Sequence, residues 1–461
     1  MLDTFHEFIK VVNSYVWGPP MLILLFGTHL YFTIRLKFIQ RYTWKGIKLS
    51  FTKDPEAEGD ISQWDSLSTA LAATIGTGNI VGVATGIALG GPGALLWLWL
   101  TGVFGISTKY AEAILSVKYR QKTSDGTMLG GPMYALEKGL GMKWLAVTFC
   151  AFTAIAAFGI GNMVQANSLT GVVQATFNIP PYITGIFITV LVGCVILGGV
   201  KSIAKVCGWL VPVMAIFYSL GCIIIIVINY QYIVPAMSLM FSAAFTPSAA
   251  GGGFIGASVM MAARFGVARG LFSNESGLGS APIVAAAAQT RNSVRQGLVS
   301  MTGTFWDTVV GCALTGIVLL TTIMRSPEGF EGLQGAALTS RAFDQIPVLG
   351  PIILTVGMLT FAFATILGWS YYGERAAEYL FGKIAIKPYR VFWVIACMLG
   401  SVASLSFVWD LSDTMNALMA LPNLVTLLLL SKVIVKESQD YLWTDNLDKY
   451  APVEQDYSMK G

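Results

Sequence analysis

Apolar residues fill this chain in long blocks, and short polar or basic clusters separate them. A helix needs about 20 mainly apolar residues to cross a bilayer. Eleven segments meet that need, near 19–35, 65–88, 93–117, 144–176, 182–200, 206–229, 254–289, 298–323, 349–373, 389–409 and 412–435. The block at 254–289 is too long for one simple span. The connectors are short, so the pattern predicts one all-α membrane domain over 1–461, with a polar tail at 437–461 that is disordered or lies on the surface.

Composition sharpens the class. Hydrophobic residues make up 55% and charged ones 12%, against roughly 25% charged in a soluble chain. Mean hydropathy is +0.66. So little charge cannot cover a large soluble core, which excludes a water-soluble enzyme. The formal charge of +4 comes with no basic block, so no nucleic-acid partner is expected. Basic residues fix a direction instead, because Lys and Arg stay on the cytoplasmic side. With the N-terminus outside and the C-terminus inside, 23 of the 29 fall in cytoplasmic segments. Only Lys10, Arg325 and Arg341 then lie outside. The expected location is the cell membrane.

Familiar soluble chemistry is missing. The six cysteines form no CxxC pair, and His6 and His29 are the only histidines. No HExxH zinc motif or GxxxxGK[ST] phosphate loop occurs. Acidic Asp3 and Glu7 stand where a cleaved leader would be basic. Asn274-Glu275-Ser276 matches a glycosylation sequon, but inside an apolar block the match is chance.

Polar, helix-breaking sequence stands out at mid-membrane depth: Gly76, Thr77, Gly78 and Asn79 in the second span, and Ser273 to Gly279 in the seventh. Hydrocarbon does not tolerate unpaired amides, so an opened helix there must face protein or a water-filled cavity. The half that follows a break offers N–H groups and partial positive charge; the half before it offers carbonyls. Together they suit an amino acid zwitterion, and the carbonyls also suit Na⁺. Two blander readings stay open. Gly82, Gly86 and Gly90 extend a GxxxG packing stripe, and Ser273–Gly279 could be a loop between two shorter helices. Setting aside the helix at 19–35, ten spans divide into fives, 65–229 and 254–435. A broken span opens each half and the halves run in opposite senses, which is the sequence pointer to a transport site.

Three runs carry a resemblance. Ala-Ala-Thr-Ile-Gly-Thr-Gly-Asn-Ile-Val-Gly-Val-Ala (72–84), Gly-Gly-Pro-Met-Tyr (130–134) and Phe-Ser-Asn-Glu-Ser-Gly-Leu-Gly-Ser-Ala-Pro (272–282) resemble the alanine or glycine:cation symporter family, of the amino acid–polyamine–organocation superfamily. That resemblance implies a LeuT-type five-plus-five inverted repeat preceded by one extra helix. It also implies alternating-access uptake of alanine or glycine with Na⁺ (sometimes H⁺), no organic cofactor, and function as a monomer. By the same resemblance the substrate carboxylate meets the amides of Thr77 and Gly78, beside Asn79. Its ammonium meets carbonyls near Thr74, Phe272 and Ser273, within a segment that includes Asn274, Glu275 and Gly277. Phe272 and Trp369 wall a small pocket. The coupling Na⁺ is implied at carbonyls of Ala72, Ile75 and Phe361 or Ala362 with the Thr365 hydroxyl; Thr360 is a second choice.

Charges inside a membrane are functional candidates by default. Glu275 could order its break by accepting N–H bonds, and Asp307 is unexplained. Lys109 and Glu112, spaced i, i+3, read as a structural ion pair. Arg264 or Arg269 with Asp410 or Asp413 could form an outer gate. Competing functions are an H⁺-coupled transporter using Glu275 or Asp307, a non-transporting amino acid sensor, and a membrane enzyme built on Ser273, Ser276 and Glu275. The last lacks a nearby histidine or lysine base.

Overall fold

A computed structural model describes residues 2–54, 56–247, 258–403 and 406–451. Helices dominate. The first three are α1 (Leu2–Val16), α2 (Pro19–Arg35) and the short interfacial α3 (Thr43–Ser50). Next come α4 (Gln63–Thr74) and α5 (Val83–Gly90), two halves of one bent span, and α6 (Gly93–Lys118). A two-stranded hairpin, β1 (Gln121–Lys122) with β2 (Met128–Leu129), precedes the single turn α7 (Pro132–Tyr134). The helices α8 (Lys143–Phe158) and α9 (Val164–Phe177) are joined by a wide π-type turn at Gly159–Met163. Then follow α10 (Pro181–Ile196), α11 (Gly199–Ile228) and α12 (Ile233–Phe245).

The second half contains α13 (Val259–Asn274), the one-turn α14 (Pro282–Ala285), and α15 (Ser293–Thr304) joined through a π-type stretch to α16 (Ala313–Arg325). It continues with α17 (Gly335–Phe343), α18 (Leu349–Phe381), α19 (Ile386–Val402), α20 (Ser406–Leu429) and α21 (Ser431–Glu437). Local chemistry places the starts. Ser62, Ser258 and Asn292 accept the N–H of Asp65, Met261 and Arg295, satisfying amides that have no intrahelical partner. Proline opens α2, α10 and α14, where its missing N–H costs nothing.

Among the described residues, five helices are long and apolar enough to cross a membrane alone. Counting three bent pairs as spans makes eight rather than eleven. The difference has physical causes: α10 has only 16 residues, α6 buries Lys109 and Glu112, and 254–257 of the expected seventh span lie outside the described residues. Five helices had no counterpart in the sequence reading: α1, α3, α7, α12 and α17. Of the two expectations for the tail, the described part follows the surface-lying one. Asn292 donates to the carbonyls of Leu447 and Lys449, and the Ala451 N–H donates to Arg291 O, so residues up to 451 are docked; 452–461 lie outside the described residues.

The core is continuous. Two contacts position the site: α13 packs along α6, and α18 packs against α4, α8, α9 and α11.

Candidate functional site

The first break is short. α4 ends at Thr74, Ile75 leaves helical geometry at φ −75°, ψ 89°, and the chain resumes through a π-type turn at Gly78–Gly82. The two halves are bent by 50°. Asn79 closes the gap. Its Oδ1 accepts the Gly76 N–H at 3.0 Å, and its Nδ2 donates to Asp307 Oδ1 at 2.7 Å and Asp307 O at 3.1 Å. Thr77 and Gly78 fall in the first turn of the resumed helix, where N–H groups lack intrahelical partners. Glycine is required here for approach. A methyl on Gly76 would sit 2.6 Å from Thr365 Oγ1, and one on Gly78 would meet Phe272 Cδ1 and Ser273 Cα at 3.3 Å.

The second break is longer. Phe272, Ser273 and Asn274 are the last residues of α13, so their carbonyls belong to the final turn. Glu275 is left-handed, with φ 55°, and Gly277 and Gly279 follow at φ 91° and 87°, a region open to glycine without strain. The loop hangs on Glu112 of α6: its Oε1 accepts the N–H of Gly277 at 3.0 Å, the N–H of Gly279 at 3.1 Å and Asn423 Nδ2 at 2.7 Å. Asn423 Nδ2 also donates to Gly277 O at 2.9 Å. Glu275 points elsewhere, accepting Ser280 Oγ at 2.5 Å and the Trp369 indole N–H at 3.0 Å.

Asp307 joins the two breaks. Besides Asn79 it accepts Ser273 Oγ at 2.9 Å and Thr308 Oγ1 at 2.6 Å on Oδ2. From α18, Thr365 Oγ1 donates to its own helix at Phe361 O, 3.0 Å away, which leaves its lone pairs facing Gly76. Gln165 of α9 brings a buried Oε1 with no hydrogen-bond partner near the same point, 3.7 Å from where a Gly76 methyl would lie. Ala72, Phe361 and Ala362 are buried beside this junction, and Gly368 packs on Ala73.

The predicted residues therefore divide. Gly76–Gly78, Phe272, Ser273 and Thr365 are adjacent, with Asn79 tied to Ser273 through Asp307. Thr74 and Asn274 meet on a small cavity of about 10 Å³ that Lys109 also lines. Gly277 has both backbone groups engaged by Glu112 and Asn423, so it serves the loop's shape and leaves no free group for a ligand. Trp369 is buried with its indole committed to Glu275 and its Cβ pressed on Gly161. Thr360 bonds its own helix at Val356 O.

Three expectations are corrected. Lys109 and Glu112 make no ion pair: Lys109 Nζ has no partner, while Glu112 holds the loop. The N–H groups of the second break go to Glu112, not to Glu275. Arg264 and Arg269 pair with neither Asp410 nor Asp413; all four line one outer cavity of about 250 Å³ floored by Phe272, and Asp410 bonds His6 instead. The packing stripe holds only partly. Gly86 and Gly90 lie against α13, but nothing approaches Gly82. Sequence reasoning missed Gln165 and Asn423. The Gly-Ile-Gly-Asn run at 159–162, a second disturbed helix at the same depth, was the available signal for the first.

Two helices broken beside one another, each aiming its loose end at the other, define a membrane transporter rather than an enzyme. The family model of the sodium:alanine symporter family matches residues 2–455, and the chain belongs to that family. It is similar to the sodium/alanine symporter AgcS of Methanococcus maripaludis, 52% identical over 95% of this chain and 97% of that one. An uncharacterized transporter of Haemophilus influenzae is 51% identical over 97% and 98%. Among solved structures, MhsT in complex with L-phenylalanine aligns over 85% of this chain and 95% of its own, with TM-score 0.59 at 18% identity, which shows a LeuT-like fold.

Proposed function

We propose that this protein carries a small amino acid, alanine or glycine, into the cell with Na⁺ by alternating access. The observation that carries the reading is the close approach of the two breaks, Gly78 against Phe272 and Ser273. The amides of Thr77 and Gly78 take the carboxylate; the Gln165 Oε1 near Gly76 is an acceptor and suits a cation instead. Carbonyls of Thr74, Phe272 and Ser273 take the ammonium. Na⁺ sits among carbonyls of Ala72, Ile75 and Phe361 or Ala362 and the Thr365 hydroxyl, an all-oxygen set suited to a hard cation. The rings of Phe272 and Trp369 leave room for a hydrogen or a methyl side chain.

The repeats are 65–229 and 254–435, with the N-terminus outside, in a monomer. The inner halves move together because the backbone joins them. Asp60 N–H donates to Ala287 O at 2.8 Å and Gln289 N–H to Ile61 O at 2.7 Å, and Arg120 Nη1 donates to Ala286 O and Ala288 O. The Asp60 carboxyl beside this seam is pushed up from its ordinary value by burial, against the lowering pull of the Met128 N–H.

Reconstituted into liposomes, the protein is expected to accumulate labelled alanine down an inward Na⁺ gradient and to stop when choline replaces Na⁺. Thr365→Ala should raise the Na⁺ concentration needed for half-maximal uptake with little change in maximal rate. Undiminished uptake in choline overturns Na⁺ coupling. Gly76→Ala inserts a methyl into the 2.6 Å gap at Thr365; overpacking of this kind costs about 1–3 kcal/mol. It should weaken Na⁺ and alanine together in equilibrium binding.

An H⁺-coupled reading has one observation in its favour. Glu275 and Asp307 are buried, and each is held by neutral donors alone among the described residues. A pH series in the choline arm separates the two: uptake that persists there and follows an inward proton gradient selects H⁺.

A further inference from the structure

An apolar groove of about 460 Å³ runs along α11 between α4 and the π-type stretch Phe305–Cys312. Its walls include Trp64, Leu71, Ala215, Ser219 and Trp306, and its deep end reaches Ile75 and Asn79 at the first break. On α11 the groove extends from Val211 to Ile223. At 1.5 Å rise per residue this is about 18 Å, close to one leaflet of a hydrocarbon core about 30 Å thick. The groove is open to the bilayer, with Ile216 and Leu220 60% and 55% exposed on the same helix.

One end is marked by chemistry. Phe51 stacks on Trp64 at 4.7 Å between ring centroids, and the Trp64 indole donates to Gly208 O at 3.2 Å. Around this end stand four exposed lysines: Lys48 and Lys53 flank Phe51, and Lys201 and Lys205 lie on the first turns of α11. No acidic side chain forms an ion pair with any of them among the described residues. A slot one acyl chain long, with four lysines at its mouth against the nearby carboxylates Asp60 and Asp65, matches one occupant.

The geometry points to a bound anionic phospholipid, one acyl chain lying between α4 and α11 and its phosphate held by Lys53 and Lys205. The site adjoins the proposed amino acid and Na⁺ site, sharing Ile75, Asn79 and Phe361 with it, so the lipid tail touches the broken helix from behind.

The test is native mass spectrometry of the whole chain with phosphatidylglycerol or phosphatidylethanolamine of identical acyl chains. One phosphatidylglycerol per chain is expected to be retained. The double variant K53Q/K205Q should bind it about 30-fold more weakly, as two lysines near an anionic headgroup predict, and should bind phosphatidylethanolamine unchanged. Ala215→Trp and Ser219→Phe each fill the groove and should lose both lipids. Equal retention of the two lipids by the unmodified chain, or undiminished phosphatidylglycerol on a filled groove, overturns the proposal. Should a filling variant fail to elute as a single folded species, the surface double variant decides alone. Lipid retention is read without transport, so failure of the Na⁺-coupled reading leaves this test intact.

Discussion

Glu112→Ala is expected to abolish transport and to lower the melting temperature of the purified protein. Three donors lose their acceptor at once: the N–H groups of Gly277 and Gly279, and Asn423 Nδ2. A buried donor left without a partner costs about 1–3 kcal/mol, and the Gly277 and Gly279 N–H groups have no other acceptor among the described residues. Glu112→Gln keeps one acceptor oxygen and should recover part of the stability. Activity should follow stability in this pair, because Glu112 reaches a substrate only through the loop. The measurement is a thermal melt in detergent beside initial uptake rates. If Glu112→Ala melts and transports like the unmodified protein, the loop is not suspended from this carboxylate.

The second large effect is expected at Asp307. Its removal as Asp307→Ala strands Thr308 Oγ1, leaves Asn79 Nδ2 with only Asp307 O and Cys312 Sγ and Ser273 Oγ with only Cys312 Sγ, and cuts the carboxylate that bridges the two broken helices. Here binding should suffer more than folding. The two chain ends proposed to receive the zwitterion would no longer be held in register, so the apparent KM for alanine should rise by about tenfold or more, in line with a loss of about 1.4 kcal/mol. Asp307→Asn keeps one acceptor oxygen and removes the charge. With Na⁺ coupling that variant keeps its Na⁺ dependence; with coupling through Asp307 it loses its response to a proton gradient. Uptake measured across pH with and without Na⁺ reads both outcomes.

Much of this was legible in the residue pattern because the physics involved is local. Apolar blocks of span length placed α2 at both ends, the end of α11 and the start of α18, but missed the first turns of α11 and the last turns of α18, where polar and charged residues continue the helix. Glycine and asparagine in the middle of an apolar run pointed to the breaks, although a close-packed stripe or a plain loop would explain each run taken alone. Partnerships across the bundle were not legible. Lys109 and Glu112 have the spacing of an ion pair on one helix, but a loop over 160 residues later in sequence takes the carboxylate instead. The short helix α12, of 13 residues with Pro235 inside it, fails every length criterion for a span. Gln165 is one amide in an apolar helix until the fold brings it against Gly76.

The backbone seam between Ile61 and Ala288 bears on economy of the cation gradient. Prying one inner half-helix from the other would forfeit amide–carbonyl links worth about 1 kcal/mol apiece. Under the proposed alternating access, a lopsided opening at this end, through which the ion could slip while its passenger stayed behind, is penalised by the chain itself. On that reading, three main-chain hydrogen bonds help to keep ion and passenger together.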